Sequence, residues 1–282
     1  MNNKKHSVPD RHITSATITA NRVFSYPSAS PEQSRRTVSI IAHRGASFSA
    51  PENTLASVNL AWNLGADMVE VDVHLSDDDR ILVIHDPSTL RTVGEDYEVG
   101  KTSSDALRKL DAGEWKAPEF SGEKIPFLEE VIETIPVERG LFMEIKCCSY
   151  ILPFLKNIIN ESGKSSQLSI IGFNHDILGL CKTHIPDIPV YWLRDTTPKI
   201  RKLRFVHHDT ELIDIAQNSG FDGLDIEYHS ITQRFADMIK STGLRLYAWT
   251  VDDPDDAKRL INMGIDGITT NRPGWLREQL RL

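Results

Sequence analysis

Residues 223–270 read GLDIEYHSITQRFADMIKSTGLRLYAWTVDDPDDAKRLINMGIDGITT. Short apolar runs alternate with helical patterns along this stretch, in the order Gly223–Ile226, Ile231–Ser241, Leu244–Thr250, Asp255–Met263 and Ile265–Ile268. Apolar runs with few polar residues are typical of parallel strands that helices cover on the outside. Pro254 suits the start of the second helix, and Gly243 and Gly264 follow the two helices as C-terminal caps do. The stretch therefore predicts a strand–helix repeat in a parallel sheet.

The same alternation begins near the N-terminus. Five further apolar runs precede the quoted stretch at Val38–Ala42, Met68–Val73, Leu141–Ile145, Leu168–Gly172 and Ile188–Leu193. Helical patterns follow these runs at Glu52–Leu64, Leu128–Thr134, Ile151–Glu161, His175–Thr183 and Thr210–Ser219. We expect the first helix to begin after Pro51, with Gly65 and Gly220 as helix caps. Eight runs that alternate with helices predict a closed α/β barrel, the (β/α)8 TIM barrel, over residues 38–282.

One apolar run breaks the alternation. Arg80–Ile84 follows Val73 too closely for a parallel return, which needs a dozen or more residues. We therefore expect an antiparallel hairpin that projects beyond the barrel rim, followed by an insertion subdomain over residues 86–126. Residues 1–37 are rich in Ser, Thr, Asn and Pro, and we expect a poorly ordered N-terminal extension there.

The overall composition excludes some classes of protein. The chain has 282 residues, 40% of them hydrophobic, and a net charge of −8. A nucleic-acid binder normally carries a basic surface, so an anionic ligand would have to be held by local cations or a metal. The N-terminus lacks the apolar core of a signal peptide, and no apolar stretch is long enough to span a bilayer. We expect a cytoplasmic protein without stable membrane association, in which the three cysteines are reduced thiols.

Polar residues that can carry chemistry follow several of the predicted strands. The active sites of α/β barrels form at the C-terminal ends of the strands. Glu70 and Asp72 are two residues apart, so in a strand both side chains share one face. The complete set of strand-end residues is His43, Arg44, Glu70, Asp72, His85, Glu144, Lys146 and Trp249.

This set is chemically coherent for phosphoryl transfer. Three carboxylates, those of Glu70, Asp72 and Glu144, suit one divalent cation such as Mg²⁺ or Ca²⁺. Arg44 and Lys146 can hold a phosphate, Arg44 in a bidentate manner. His43 and His85 can exchange protons near neutral pH. No G-x-S-x-G motif is present, no cysteine lies in a catalytic pattern, and no Ser or Thr accompanies these histidines, so the chain offers no obvious nucleophile.

Each residue taken singly has a structural interpretation as well. A lone strand-end histidine is more often structural, and Glu70 with Asp72 can pair with neighbouring cations. Glu144 and Lys146 can form an ion pair inside the barrel, and Trp249 alone is typical of a core. The joint occurrence of these residues at several strand ends favours a site.

At these residues the chain closely resembles the glycerophosphodiester phosphodiesterase family, from about residue 40 to 274. The matching motifs are His43-Arg44-Gly45-Ala46, Pro51-Glu52-Asn53-Thr54, Glu70-Val71-Asp72-Val73, His85-Asp86-Pro87, Leu110-Asp111-Ala112-Gly113, Gly122-Glu123-Lys124-Ile125-Pro126, Glu144-Ile145-Lys146, Ala248-Trp249-Thr250-Val251-Asp252 and Gly267-Ile268-Thr269-Thr270-Asn271-Arg272-Pro273. The chain departs from the family pattern at Gly172, Phe127, Lys116 and Asn271, and we expect none of these to touch the metal or histidine positions.

The resemblance implies a function within lipid and glycerol metabolism. It implies that His43 and His85 are the acid–base pair, that Glu70, Asp72 and Glu144 bind the metal, that Arg44 and Lys146 contact phosphate, and that Trp249 forms a wall of the substrate pocket. The implied reaction cleaves a small glycerophosphodiester to sn-glycerol 3-phosphate and an alcohol. It also implies attack by the glycerol 2-hydroxyl through a cyclic phosphate; direct attack by water is the alternative.

Two other functions remain open on the same scaffold. A lysophospholipase D acting on lipid diesters would favour an exposed apolar or basic element near the rim, and the sequence has no clear one. A non-catalytic protein that binds a phosphorylated ligand would tolerate loss of a histidine, whereas this chain keeps both His43 and His85.

Overall fold

The computed structural model describes residues 38–195 and 208–282. The predicted N-terminal extension, residues 1–37, lies outside the described residues. Within the described ranges, no helix is both long and apolar enough to cross a membrane.

A parallel barrel organises the described residues. Its strands and one antiparallel neighbour are β1 (Ser39–His43), β2 (Met68–Leu75), β3 (Ile81–Val83), β4 (Gly140–Ile145), β5 (Leu168–Gly172), β6 (Val190–Arg194), β7 (Gly223–Glu227), β8 (Arg245–Trp249) and β9 (Gly267–Thr270). Neighbouring barrel strands pair in the order β1-β9-β8-β7-β6-β5-β4-β2, and β1 also pairs with β2, which closes the barrel. The predicted (β/α)8 barrel is confirmed.

The predicted hairpin is confirmed as well. Strand β3 pairs with β2 in antiparallel register, with Val73 opposite Val83 and Leu75 opposite Ile81. Strand β2 pairs with its barrel neighbour β4 only as far as Val73, so the last residues of β2 extend past the barrel and pair with β3. The hairpin brings His85 back to the barrel mouth, since His85 comes two residues after the end of β3.

Most of the helices cover the outside of the barrel. The helices of the described residues are α1 (Leu55–Asn63), α2 (Leu90–Val93), α3 (Ser104–Leu107), α4 (Leu128–Thr134), α5 (Leu152–Glu161), α6 (His175–His184), α7 (His208–Asn218), α8 (Gln233–Thr242), α9 (Pro254–Met263) and α10 (Pro273–Leu280). Helices α2 and α3 lie in the segment between β3 and α4 instead. The backbone is left-handed at Gly65, Gly220, Gly243 and Gly264, as predicted for helix caps.

The predicted start of the first helix was wrong. Helix α1 begins at Leu55, not directly after Pro51, because Asn53 has a positive φ of 57° that no α-helix accommodates. Thr54 is the N-cap instead, and its side-chain oxygen accepts a hydrogen bond from the backbone N–H of Ser57. Residues 51–54 therefore form a turn at the barrel mouth, which places Glu52 and Asn53 beside the strand ends.

Two layers of apolar side chains make up the barrel core. The larger layer packs between strands and helices and includes Ile40, Val71 and Leu260. The smaller layer fills the inside of the barrel with Ile41, Phe142, Ile171, Tyr191, Leu193 and Tyr247. Phe142, Tyr191 and Tyr247 pack inside the barrel with ring centroids 4.9–5.4 Å apart. We call these three rings the aromatic floor.

The segment predicted as an insertion, residues 86–126, contains α2 and α3. Leu107, Ala112 and Ile125 of this segment are buried together with Leu82 and Ile84 of the hairpin. The segment thus has a small core of its own, built on the hairpin and not on the barrel wall.

Candidate active site

A cavity of about 200 Å³ opens at the C-terminal ends of the barrel strands. Seven of the eight site residues predicted from the sequence line it: His43, Arg44, Glu70, His85, Glu144, Lys146 and Trp249. The eighth, Asp72, is fully buried and contacts this group from below. The structure therefore brings all eight together.

The three carboxylates come from two neighbouring strands. Asp72 of β2 lies opposite Glu144 of β4, and Glu70 is two residues earlier on the same face of β2. One oxygen from each of the three lies within 4.8 Å of the others. Glu70 Oε1 and Asp72 Oδ1 are buried and have no hydrogen-bond partner among the described residues. Buried carboxylate oxygens that lie this close together without hydrogen-bond partners fit a divalent cation.

Crowding and burial disfavour the charged form of these carboxylates. Burial, then the charges of Asp72 and Glu144, raise the pKa of Glu70 well above its usual value. Burial, then Asp72, raise the pKa of Glu144 to about 7. A bound cation would relieve this repulsion, so the residues present suit the metal that the sequence predicts.

Two cations lie against the cluster. Arg44 Nε is 3.1 Å from Asp72 Oδ2, and Lys146 Nζ is 2.8 Å from Glu144 Oε1 and 3.7 Å from Asp72 Oδ1. Burial works against the charge of Lys146, but Glu144 and Asp72 outweigh it and raise its pKa, so the amine stays protonated. Both cations therefore face the cavity from beside the carboxylates, where an anionic substrate would meet them.

The loop after β1 is held in an unusual conformation. Arg44 has a positive φ of 55°, and its backbone N–H donates to Glu70 Oε2 at 2.9 Å. A Cβ atom at Gly45, whose φ is 80°, would lie 2.5 Å from the backbone carbonyl carbon of Ser57. Only glycine lets the loop approach helix α1 this closely. This close packing fixes the backbone that carries His43 and Arg44.

His43 has a neutral hydrogen-bond partner. Its Nδ1 is 2.8 Å from Asn271 Oδ1, and Asn271 Nδ2 donates to Asp252 Oδ2 at 2.7 Å. Because an amide oxygen only accepts, Nδ1 carries the proton and Nε2 has the free lone pair. Burial, then the charge of Arg44, lower the pKa of His43. The expectation that Asn271 does not touch the histidine positions was wrong, because β9 ends beside β1 in the closed barrel.

His85 has a charged partner instead. Its Nδ1 lies 2.5 Å from Asp86 Oδ1, so Asp86 orients the ring. Arg91 Nε donates to the other oxygen of Asp86 at 2.6 Å, and the Arg91 guanidinium binds both oxygens of Glu52 at 2.8 Å. Burial opposes ionisation of Asp86, but Arg91 and His85 outweigh it and lower its pKa to about 2. Glu52 also accepts from Arg44 at 2.8 Å, so one chain of charges joins His85 to Arg44.

The far side of the cavity is mostly apolar. Ile171 and Leu193 line it, and Trp249 is anchored by a 3.1 Å hydrogen bond from Nε1 to the carbonyl oxygen of Asp225. Phe173 packs edge-on against Trp249, with ring centroids 5.6 Å apart. These contacts place Trp249 in the cavity wall.

Three further polar residues line the cavity and were not predicted from the sequence as site residues: Asp225, Thr250 and Thr269. Asp225 and Thr269 line the cavity, and Asp225 Oδ1 and Thr269 Oγ1 are buried without a hydrogen-bond partner among the described residues. A charged residue inside the otherwise apolar run Gly223–Ile226 was the available signal for Asp225. Thr269 is a hydroxyl inside the cavity that the prediction of no nearby Ser or Thr overlooked. It has no base hydrogen-bonded to it, so nothing activates it as a nucleophile.

The family of the chain follows from comparison with known proteins. The model of the glycerophosphoryl diester phosphodiesterase family matches residues 43–275. The chain belongs to this family. It is therefore a phosphodiesterase, as the resemblance implied.

Individual members of the glycerophosphoryl diester phosphodiesterase family match this chain over most of their own length. The glycerophosphodiester phosphodiesterase of Caldanaerobacter subterraneus subsp. tengcongensis is 33% identical, over 86% of this chain and 97% of that protein. The lysophospholipase D GDPD1 of Homo sapiens is 26% identical, over 85% of each chain. The solved structure of an Oleispira antarctica phosphodiesterase in complex with the product sn-glycerol-3-phosphate is 30% identical with a TM-score of 0.77, and the match covers 86% of this chain and 97% of that one.

Proposed function

We propose that this chain hydrolyses glycerophosphodiesters to sn-glycerol 3-phosphate and an alcohol, with one divalent cation, Mg²⁺ or Ca²⁺, as cofactor. The observation that carries the proposal is the meeting of three buried carboxylates within 4.8 Å, beside a cavity that His43 and His85 both line. Glu70, Asp72 and Glu144 hold the cation, which when bound stabilises the negative charge that develops on the phosphoryl group. Membership of the family supports the same reaction.

Arg44 and Lys146 orient the phosphate in this proposal. Both cations are buried enough to be shielded from bulk water, which strengthens their attraction for an anion. The guanidinium of Arg44 can contact two phosphate oxygens at once. Trp249 packs against the organic part of the substrate from the opposite wall.

The two histidines have different proton roles because their partners differ. The neutral amide of Asn271 and a lowered pKa favour the unprotonated form of the His43 ring, which suits a general base. The carboxylate of Asp86 lies against His85 Nδ1 and orients the ring, which serves as the general acid.

The attacking group is the glycerol 2-hydroxyl of the substrate. His43 takes the hydroxyl proton while the oxygen attacks phosphorus, the bond from phosphorus to the alcohol oxygen breaks, and His85 gives that oxygen a proton. Water then opens the resulting cyclic phosphate, with the two histidines in exchanged roles. A hydroxyl held beside phosphorus has a high effective concentration, so no protein nucleophile is needed.

A substrate analogue distinguishes this route from direct attack by water. The analogue is a diester of the same size whose 2-hydroxyl is replaced by hydrogen. We expect it to resist cleavage, and we expect rapid quenching of the normal reaction to reveal a cyclic phosphate. Equal rates for analogue and substrate, with no cyclic phosphate, would establish direct attack by water instead.

A second candidate substrate class is 1-acyl lysophospholipids, as the name of the human relative suggests. The ring of Phe173 lines the cavity and is 44% exposed, which offers an apolar contact at the mouth. Assaying sn-glycerol 3-phosphate release from glycerophosphocholine beside lysophosphatidic acid release from lysophosphatidylcholine tests both classes. We expect the deacylated diester to be the better substrate; the reverse preference would replace the proposed function with a lysophospholipase D activity.

A further inference from the structure

Asp225 and Thr269 are the two buried polar residues of the cavity lining that the proposed mechanism leaves unused. Asp225 is 1% exposed and Thr269 is 3% exposed, yet both line the cavity. Asp225 is in register with Leu193 and Tyr247, and Thr269 is in register with Ile41. Those three neighbours belong to the apolar layer inside the barrel, so both polar side chains point into the barrel interior.

The surroundings of Asp225 favour contact with a neutral polar group. No cation is paired with it among the described residues, and its Oδ1 has no hydrogen-bond partner. A carboxyl oxygen accepts a hydrogen bond, and the hydroxyl of Thr269 both donates and accepts one. The ligand group that matches both is a hydroxyl.

We propose that Asp225 and Thr269 form a subsite for the terminal, primary hydroxyl of the substrate's glycerol. This inference rests on the proposed function and names what sets its substrate specificity. The two residues would satisfy their buried oxygen atoms by binding the hydroxyl that takes no part in the attack on phosphorus.

The position of the subsite favours binding of the glycerol end of the diester and not of its alcohol end. The three carboxylates lie on β2 and β4. Asp225 lies on β7, on the opposite side of the barrel from β2, and Thr269 lies on β9, between β1 and β8. Both are buried, and Asp225 is in register with Tyr247 of the aromatic floor. An alcohol group that varies among substrates needs the open mouth, where Phe173 is exposed. The glycerol, which all glycerophosphodiesters share, therefore occupies the buried side of the cavity.

A consequence follows for acylated substrates. In a 1-acyl lysophospholipid the terminal hydroxyl is an ester, which has no hydrogen to donate and carries a long chain. Neither property fits a buried subsite in a cavity of about 200 Å³. A site built to bind a hydroxyl rejects analogues that lack it, because its own polar groups are then left unpaired. Asp225 and Thr269 would thus select deacylated diesters.

The test compares two diesters that differ only at this hydroxyl. The first is sn-glycero-3-phosphoethanol, and the second is its 1-deoxy analogue, which keeps the attacking 2-hydroxyl. We expect the wild-type kcat/KM to favour the first by roughly tenfold or more. Asp225→Leu and Thr269→Val should each bring this ratio close to one by slowing the glycerol substrate, whereas Asp225→Asn, which keeps an acceptor, should retain most of it.

Controls separate the outcomes. Thermal melts establish that each variant is folded, and Asp225→Asn and Thr269→Val carry the test if Asp225→Leu does not fold. An unchanged ratio in folded Thr269→Val and Asp225→Leu overturns the subsite while leaving the proposed function intact. If Asp225→Asn loses activity only toward glycerophosphocholine, the proposed subsite is also overturned, because Asp225 would then bind the cationic alcohol. A wild-type chain that cleaves neither diester removes the proposed function and the subsite together.

Discussion

His43 and His85 line the same cavity but differ in hydrogen-bond partner, so their loss can be examined one residue at a time. We predict that His43→Ala and His85→Ala each lower kcat by about 10²–10⁴, the usual contribution of general acid–base catalysis. Both side chains lie at the barrel mouth and not in its core, so thermal melts should stay close to wild type. Near wild-type turnover in either variant would contradict its role.

The strand-end residues were predictable from the sequence because each lies within or just after a recognisable apolar run. Glu70 and Asp72 were placed on one face by their spacing alone. Asp225 and Thr269 were missed because the sequence does not tell which face of a barrel strand points inward. Asn271 was quoted as part of a motif, but its contact with His43 depends on closure of the barrel between β9 and β1.

Gly45 lets the loop between β1 and α1 pack closely against Ser57. We predict that Gly45→Ala lowers the free energy of unfolding by about 2–5 kcal/mol, because left-handed backbone and a clash with Ser57 combine. Gly122→Ala is the matched control, since Gly122 also has a positive φ but nothing lies within 4 Å of its added Cβ. It should cost only about 1–2 kcal/mol. Equal losses in chemical denaturation would show that packing against α1 is unimportant.

Helix α2 connects the segment 86–126 to the active site through one side chain. Arg91 binds Asp86, which orients His85, and Glu52, which binds Arg44. We predict that Arg91→Ala lowers kcat by roughly tenfold, the typical cost of losing a partner that orients a reacting group. Arg91→Lys should recover only part of this loss, because an amine cannot bridge both carboxylates in the same fork geometry. Turnover in Arg91→Ala equal to wild type would show that the bridge is dispensable.

The sequence predicted whether a segment is a helix or a strand better than it predicted the residues at which the segment begins and ends. The eight strands and the hairpin were expected, since apolar runs and the minimum length of a parallel return are local properties. The start of α1 was misplaced because Pro51 precedes a turn whose left-handed Asn53 leaves no local signal. Helix α10 was not predicted, although it begins at Pro273 and completes the last strand–helix unit of the barrel.

The stability of the whole molecule should depend on pH and cation together. In the folded chain the pKa of Glu144 is raised to about 7, so this site holds a proton that an unfolded chain releases at lower pH. Stability from such a group is present below the unfolded pKa and is lost as pH rises through the folded value. A cation must displace that proton, so its binding strengthens as pH rises.

We therefore predict that Mg²⁺ or Ca²⁺ raises the Tm more at pH 8 than at pH 6. Differential scanning fluorimetry of the metal-stripped chain measures both shifts, and Glu144→Gln, which cannot ionise, should lose most of the cation-induced shift. A larger shift at pH 6, or an undiminished shift in Glu144→Gln, would contradict the assignment of the carboxylates.

The central claim is cation-dependent cleavage of glycerophosphodiesters at this barrel mouth. Release of sn-glycerol 3-phosphate from glycerophosphocholine, measured before EDTA, after EDTA and after return of Mg²⁺ or Ca²⁺, tests it most directly. We predict that chelation abolishes turnover and that the returned cation restores it in wild type but not in Glu144→Gln. Full activity in the metal-stripped chain would contradict the account.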